Sequence, residues 1–202
     1  LTDVYAPAED SMLLLRHASA MVYGSVLDVG TGSGILAVAV ASKPRVTRVV
    51  AVDIDPDAVE AARRRAEEAG VSERIKFLVS DLFEGLDRER FDWILFNPPY
   101  LHSEGTADEA SWSGGEDGSE VIRRFLSQAI EHLNLGGAII MVSSSLTEFD
   151  LQKVEGIYHV EVLEELPLFF ERLYCLLLRP VTPSSVQGRP RQRRRPRRAC
   201  GL

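Results

Sequence analysis

Apolar residues fall along this chain in two rhythms. In 25–29 (SVLDV), 46–54 (VTRVVAVDI), 74–80 (RIKFLVS), 91–96 (FDWILF) and 138–145 (AIIMVSSS) they form short runs with little alternation. Such runs predict strands covered on both faces. Between them, apolar residues recur at helical spacing over 9–22, 35–43, 55–70 and 118–134. The third of these carries its own punctuation: Asp55 as cap, Pro56 in the first turn and Gly70 as stop. Gly136 and Gly137 are expected to end the fourth. Segments 158–166 and 171–179 predict a last pair of strands, joined as an antiparallel hairpin. Strands alternating with helices predict an α/β fold, a parallel sheet linked by right-handed crossovers.

The pattern stops near Pro180. Residues 181–202 hold few apolar side chains and many Arg and Pro. Residues 1–180 therefore predict one domain, and 181–202 a disordered tail. Charge divides at the same place. All 30 acidic residues lie at or before Glu171, while seven of the 23 basic residues lie from Arg189 onward. The body carries about −14 and the tail about +7. So acidic a body disfavours docking a long nucleic acid over a broad surface. No apolar run approaches the length of a membrane span, and the first ten residues lack a signal-peptide pattern. Cys175 sits in a strand-like run and Cys200 in the tail, so no structural disulfide is expected. No Cys/His cluster has metal-ligand spacing. These features predict a cytoplasmic protein without a metal.

Chemistry enters at the strand ends. LDVGTGSG places Gly30, Gly32 and Gly34 directly after the first strand. Glycines there let a ligand approach the backbone at the carboxyl edge of an open sheet. Asp53 closes the second strand, where a carboxylate accepts from a ribose diol. Asp81 follows the third strand, within reach of an adenine amino group, and Asp28 precedes the loop. So many carboxylates would serve a pyrophosphate poorly. They suit a cationic ligand, and S-adenosylmethionine offers a sulfonium, an ammonium, a ribose and an adenine.

The fourth strand ends in FNPPYL. Two prolines cannot continue a ladder, so Asn97, Pro98, Pro99 and Tyr100 leave the sheet with a stiff backbone. The Asn97 side-chain oxygen and the Pro98 carbonyl together can accept from one NH2 group. Tyr100 can stack on the planar group that carries it. Methyl transfer to such a nitrogen needs no strong base, because the proton becomes acidic once the methyl is attached. Consistently, His17, His102, His132 and His159 are scattered, and His102 reads as a solvated loop residue.

These blocks resemble the class I S-adenosylmethionine-dependent methyltransferases, and among them the HemK/PrmC-like glutamine methyltransferases. The resemblance covers residues 3–179 through DVYAPAEDSMLLL, LDVGTGSG, VVAVDIDPDAV, FNPPYL and WSGGEDGSEVIRRFL. NPPY is shared with adenine-N6 methyltransferases. YAPAEDS and WSGGEDG resemble the short archaeal and eukaryotic branch, which methylates the glutamine of the GGQ motif in translation release factors. The resemblance implies a Rossmann-like, mostly parallel seven-stranded sheet in the order 3-2-1-4-5-7-6, strand seven antiparallel, with helices on both faces. It implies Ser11 and its neighbours closing over the cofactor. It places Asp28, Gly30 and Gly32 at the methionine part, Asp53 at the ribose and Asp81 with Leu82 at the adenine. Asn97, Pro98, Pro99 and Tyr100 would hold the glutamine amide, with Asn97 also beside the cofactor.

The chain departs from the bacterial members, which carry an N-terminal helical domain. The short branch pairs instead with a small zinc-binding activator subunit, which the resemblance implies at the edge strand near 74–80. The Arg-rich tail matches nothing in the family pattern. It reads either as a weak RNA tether or as a dispensable solvated extension. Alternative functions are methylation of an exocyclic amine in nucleic acid (adenine N6 or guanine N2), methylation of a protein lysine, or a non-enzymatic cofactor-binding scaffold.

Overall fold

A computed structural model describes residues 9–99, 119–147, 154 and 156–181. Tyr100, the 101–118 segment with WSGGEDG, and the tail beyond 181 lie outside the described residues. The elements run α1 (Glu9–Met21), β1 (Gly24–Val29), α2 (Ile35–Ala41), β2 (Val46–Asp53), α3 (Pro56–Glu68), β3 (Ile75–Val79), β4 (Phe91–Phe96), α4 (Ser119–Ala129), β5 (Leu133–Ser144), β6 (Tyr158–Pro167) and β7 (Arg172–Pro180).

The strands form one sheet in the order β3-β2-β1-β4-β5-β7-β6. β1 to β5 pair in parallel, while β7 runs antiparallel to both β5 and β6. This is the order the family resemblance implies. Successive residues of each strand point to opposite faces. On one side Val26, Ala51, Leu95 and Ile140 pack against Leu13 and Leu14 of α1, Val40 of α2 and Ala62 of α3. On the other, Leu27, Val50, Phe96 and Met141 pack against Ile122 and Phe125 of α4. The two half-cores explain why the strands lack alternation. Each buried Phe in such a core contributes roughly 1.5–3 kcal/mol.

Local signals act as expected in α3. The Asp55 carboxylate accepts from Asp57 N at 2.8 Å, and Pro56 opens the helix. They mislead between α4 and β5. The expected helix over 118–134 ends at Ala129, passes through one 3-10 turn (Ile130–His132) and becomes strand at Leu133. The reason is non-local: Leu133 pairs with Phe91, and the β4–β5 register shifts between Phe91 and Trp93. A Cβ on Gly137 would lie 3.0 Å from the Phe91 and Asn134 carbonyls. The Gly136-Gly137 pair is a kink inside β5, not a helix stop.

The two sheet edges differ. β6 carries a register shift between Val162 and Glu164, exposed Glu161 and Glu165, and Pro167 at its end. Each of these discourages a further strand. β3 is shorter and regular, with one exposed lysine, Lys76, and with Val79 56 % exposed.

Candidate active site

The parallel strands end at one edge, and there a cavity of about 470 Å³ opens. Its walls are the exits of β1 (Gly30, Thr31, Gly32), β2 (Asp53, Ile54), β3 (Ser80, Asp81, Leu82) and β4 (Asn97, Pro98, Pro99). Asp10 and Ser11 of α1 and Val121 and Arg124 of α4 complete it. β1 lies between β2 and β4, the point where strand order reverses and such sheets hold ligands.

The glycine loop is tied to the acids around it. Gly32 N donates to Asp53 Oδ2 at 2.8 Å, and no described residue lies within 4 Å of where a Cβ would stand. Asp53 Oδ1 accepts from Asp55 N at 3.0 Å. Burial raises the Asp53 carboxyl above its usual range, against the pull of these two backbone donors. Gly34 has another task. A Cβ there would come within 2.7 Å of the Ala62 Cβ, so this glycine lets α2 approach α3. It serves packing rather than ligand approach.

Asp28 also departs from expectation. It is fully buried and does not line the cavity. Its Oδ2 accepts from Thr31 Oγ1 at 2.7 Å and from Ala37 N at 3.1 Å. Oδ1 has no partner among the described residues. Desolvation pushes the carboxyl up to about 7. Asp28 therefore braces the loop and the first turn of α2 from one layer behind.

At the β3 exit, Asp81 Oδ2 accepts from Arg124 Nη2 at 2.7 Å. That carboxylate raises the Arg124 guanidinium above its usual value. Leu82 holds a left-handed backbone, φ 49°. Its carbonyl accepts from Ser80 Oγ at 3.2 Å, and Ser80 Oγ in turn accepts from Gly85 N at 2.9 Å.

At the β4 exit, Asn97 Nδ2 donates to Ser11 Oγ at 3.2 Å. Asn97 Oδ1 is buried without a partner among the described residues. Pro98 is buried and Pro99 exposed. An unpaired buried carbonyl oxygen is costly, and at a cavity wall it marks a place for a donor. Ser11, Gly30, Gly32, Asp53, Asp81, Leu82, Asn97, Pro98 and Pro99 thus meet around one cavity; Tyr100 lies outside the described residues. Sequence reading did not single out Thr31 or Arg124, and took in Asp10 only as a neighbour of Ser11. Asp10 had a signal, standing beside Ser11. Arg124 had none, since an arginine on an amphipathic helix reads as a solvated face.

Acidic walls and an unpaired acceptor fit a cationic ligand bearing amine donors. Comparison with known proteins agrees. The methyltransferase small domain matches residues 8–165. A candidate protein N5-glutamine methyltransferase of Methanocaldococcus jannaschii is 38% identical over 184 residues, 86% of this chain and 90% of that protein. A release factor glutamine methyltransferase of Rhodopirellula baltica is 40% identical over 134 residues, 60% of this chain and 45% of its own length. The solved E. cuniculi Mtq2–Trm112 complex, described as responsible for methylating the eRF1 termination factor, shares the fold. Its TM-score is 0.67 at 24% identity, over 89% of this chain and all of that one. By sequence along most of its length and by the topology of its sheet, the chain belongs to the methyltransferase small-domain family, among the protein N5-glutamine methyltransferases.

Proposed function

We propose that this S-adenosylmethionine-dependent enzyme methylates the side-chain nitrogen, N5, of the glutamine in the GGQ motif of a translation release factor. The observation that carries the reading is the buried Asn97 Oδ1, unpaired among the described residues, at the wall of an acid-lined cavity. The relatives that carry the glutamine and release-factor names support the choice of substrate. When bound, S-adenosylmethionine supplies an electrophilic methyl on a sulfonium.

The residues of this chain do the rest. A glutamine amide nitrogen is a weak nucleophile, because its lone pair is shared with the carbonyl. Asn97 Oδ1 accepts one of its N–H groups, which orients the nitrogen and stabilises positive charge as it grows there. Ser11 Oγ, accepting from Asn97 Nδ2, keeps the amide from turning. Pro98 and Pro99 hold the backbone stiff, the Pro98 carbonyl takes the second N–H, and Tyr100 stacks on the amide plane. After transfer the nitrogen loses its proton to water.

Gly30, Gly32 and Ser11 line the methionine part of the cofactor, with Asp28 holding the loop from behind. Asp53 accepts from the ribose through lone pairs that its two backbone donors leave free. Asp81 and the Leu82 backbone meet the adenine. A cytoplasmic setting suits this substrate. In this reading residues 1–180 are the methyltransferase domain, and the Arg-rich segment beyond is either a weak RNA tether or a dispensable extension. A small zinc-binding activator adds to the β3 edge, the more regular of the two; Mtq2 was solved with Trm112.

Labelled S-adenosylmethionine, offered with release factor or with RNA and followed by mass spectrometry, tests the reading. Label is expected on the GGQ glutamine. Label found only in RNA, or only on lysine, overturns it.

A further inference from the structure

We infer that Arg124 is a positioning residue that sets the base specificity of the cofactor pocket, fixing Asp81 so that a 6-amino purine is accepted and a 6-oxo purine refused. The inference rests on the placement of the base at Asp81.

Both residues line the cavity, yet they come from distant elements. Arg124 sits on α4 and Asp81 at the exit of β3, 43 residues earlier. Each end of the pair is anchored by contacts besides the ion pair itself. On α4, the neighbouring Phe125 stacks on Phe96 and on Phe83, with ring centroids 4.1 and 5.5 Å apart. On the β3 side, Ser80 Oγ accepts from Gly85 N and donates to the Leu82 carbonyl. With Oδ2 held at 2.7 Å by Arg124 Nη2, the Asp81 carboxylate cannot rotate freely. No described residue donates to Oδ1. That oxygen is a fixed acceptor.

A 6-amino purine presents an N–H donor to such an oxygen. A 6-oxo purine presents another acceptor, and the two oxygens repel. Without Arg124 the carboxylate is free to swing aside, and the refusal weakens. The charges point the same way. Among the described residues, Asp28 and Asp53 are held by hydroxyl and backbone donors, not by cations. Asp81 is neutralised by a guanidinium. Of the two acids that line the cavity at the β2 and β3 exits, Asp81 alone is paired with a described cation, and that neutralised carboxylate is the one facing an uncharged base.

The test measures binding of S-adenosylhomocysteine and its 6-oxo analogue, S-inosylhomocysteine, to the full chain by calorimetry. The ratio of the two affinities is the readout, since a general loosening of the pocket lowers both equally. The native protein is expected to favour the amino form by about tenfold or more, the scale of one charge-assisted hydrogen bond. Arg124→Met is expected to bring that ratio close to unity, and Arg124→Lys to leave an intermediate ratio. Asp81→Ala is expected to abolish the preference, and Asp81→Ala with Arg124→Met to add nothing further. If Asp81→Ala abolishes the preference while Arg124→Met and Arg124→Lys keep the native ratio, the role of Arg124 is overturned and the base placement stands. If Asp81→Ala keeps the native ratio, the base lies elsewhere and the inference falls with the placement. Neither result touches the glutamine reading, which the labelling experiment decides. Arg124 is partly exposed, so its variants are expected to fold; should Arg124→Met not, Arg124→Lys alone decides.

Discussion

Asn97 and Ser11 stand 86 residues apart in the chain and 3.2 Å apart in space, the amide nitrogen donating to the hydroxyl. The contact ties the exit of β4 to the first turn of α1. It also decides which way the amide faces. With Nδ2 engaged, Oδ1 is the atom left for a substrate N–H.

Asn97→Ala removes that acceptor without touching the glycine loop. Turnover is expected to fall by about 100-fold or more, the scale of losing one preorganised charge-stabilising group. Affinity for S-adenosylhomocysteine should stay within about threefold of native, because the lost contact belongs to the reacting nitrogen. Single-turnover kinetics beside calorimetry separates the two. Near-native turnover would remove Asn97 from the mechanism.

Ser11→Ala frees the amide to turn. A drop of about tenfold in turnover is expected, with the thermal midpoint shifted by no more than about 2 °C. Ser11→Thr keeps the hydroxyl and should recover most of the rate. Equal losses in both variants would assign Ser11 to packing instead.

Asp28 predicts a pH dependence whose sign is fixed by its burial. Its carboxyl is raised from the ordinary value to about 7 in the folded state. Between roughly pH 4 and 7 the folded chain therefore binds more protons at this site than the unfolded chain does. The contribution is complete at the acid end of that window and is lost as pH rises through about 7. Asp28→Asn keeps an oxygen for Thr31 and Ala37 and cannot ionise. Thermal midpoints from pH 5 to 8 should fall more for the native protein than for Asp28→Asn. Parallel curves would mean that Asp28 ionises normally despite its burial.

The β3 edge gives a test of the activator. Val79→Glu places a charge on the most exposed apolar position of that edge. Co-elution with a Trm112-type subunit is expected to be lost, while S-adenosylhomocysteine binding to the chain alone persists. An unchanged complex would move the partner to another surface.

Most of the cavity was legible from sequence because its residues sit at the ends of apolar runs, and a run that stops at a polar residue announces a strand exit. Asp53, Asp81 and Asn97 all follow that rule. The misreadings share a cause: they depend on partners far away in sequence. The start of β5 at Leu133 is set by pairing with Phe91, which no local pattern records. Gly34 looks like the other loop glycines, and only the presence of Ala62 opposite shows its task. Arg124 becomes part of the site because Phe125 seats α4 beside the β3 exit.

The cavity takes one wall from α1, which belongs to the half-core on one face of the sheet, and another from α4, which belongs to the half-core on the other. Among the described residues the sheet lies between these two masses along its parallel strands. A ligand seated at the carboxyl edge therefore works as a clasp closing over the rim, touching both masses at once. Neither can peel away without breaking its own share of that grip, so occupancy resists loss of either layer of the fold.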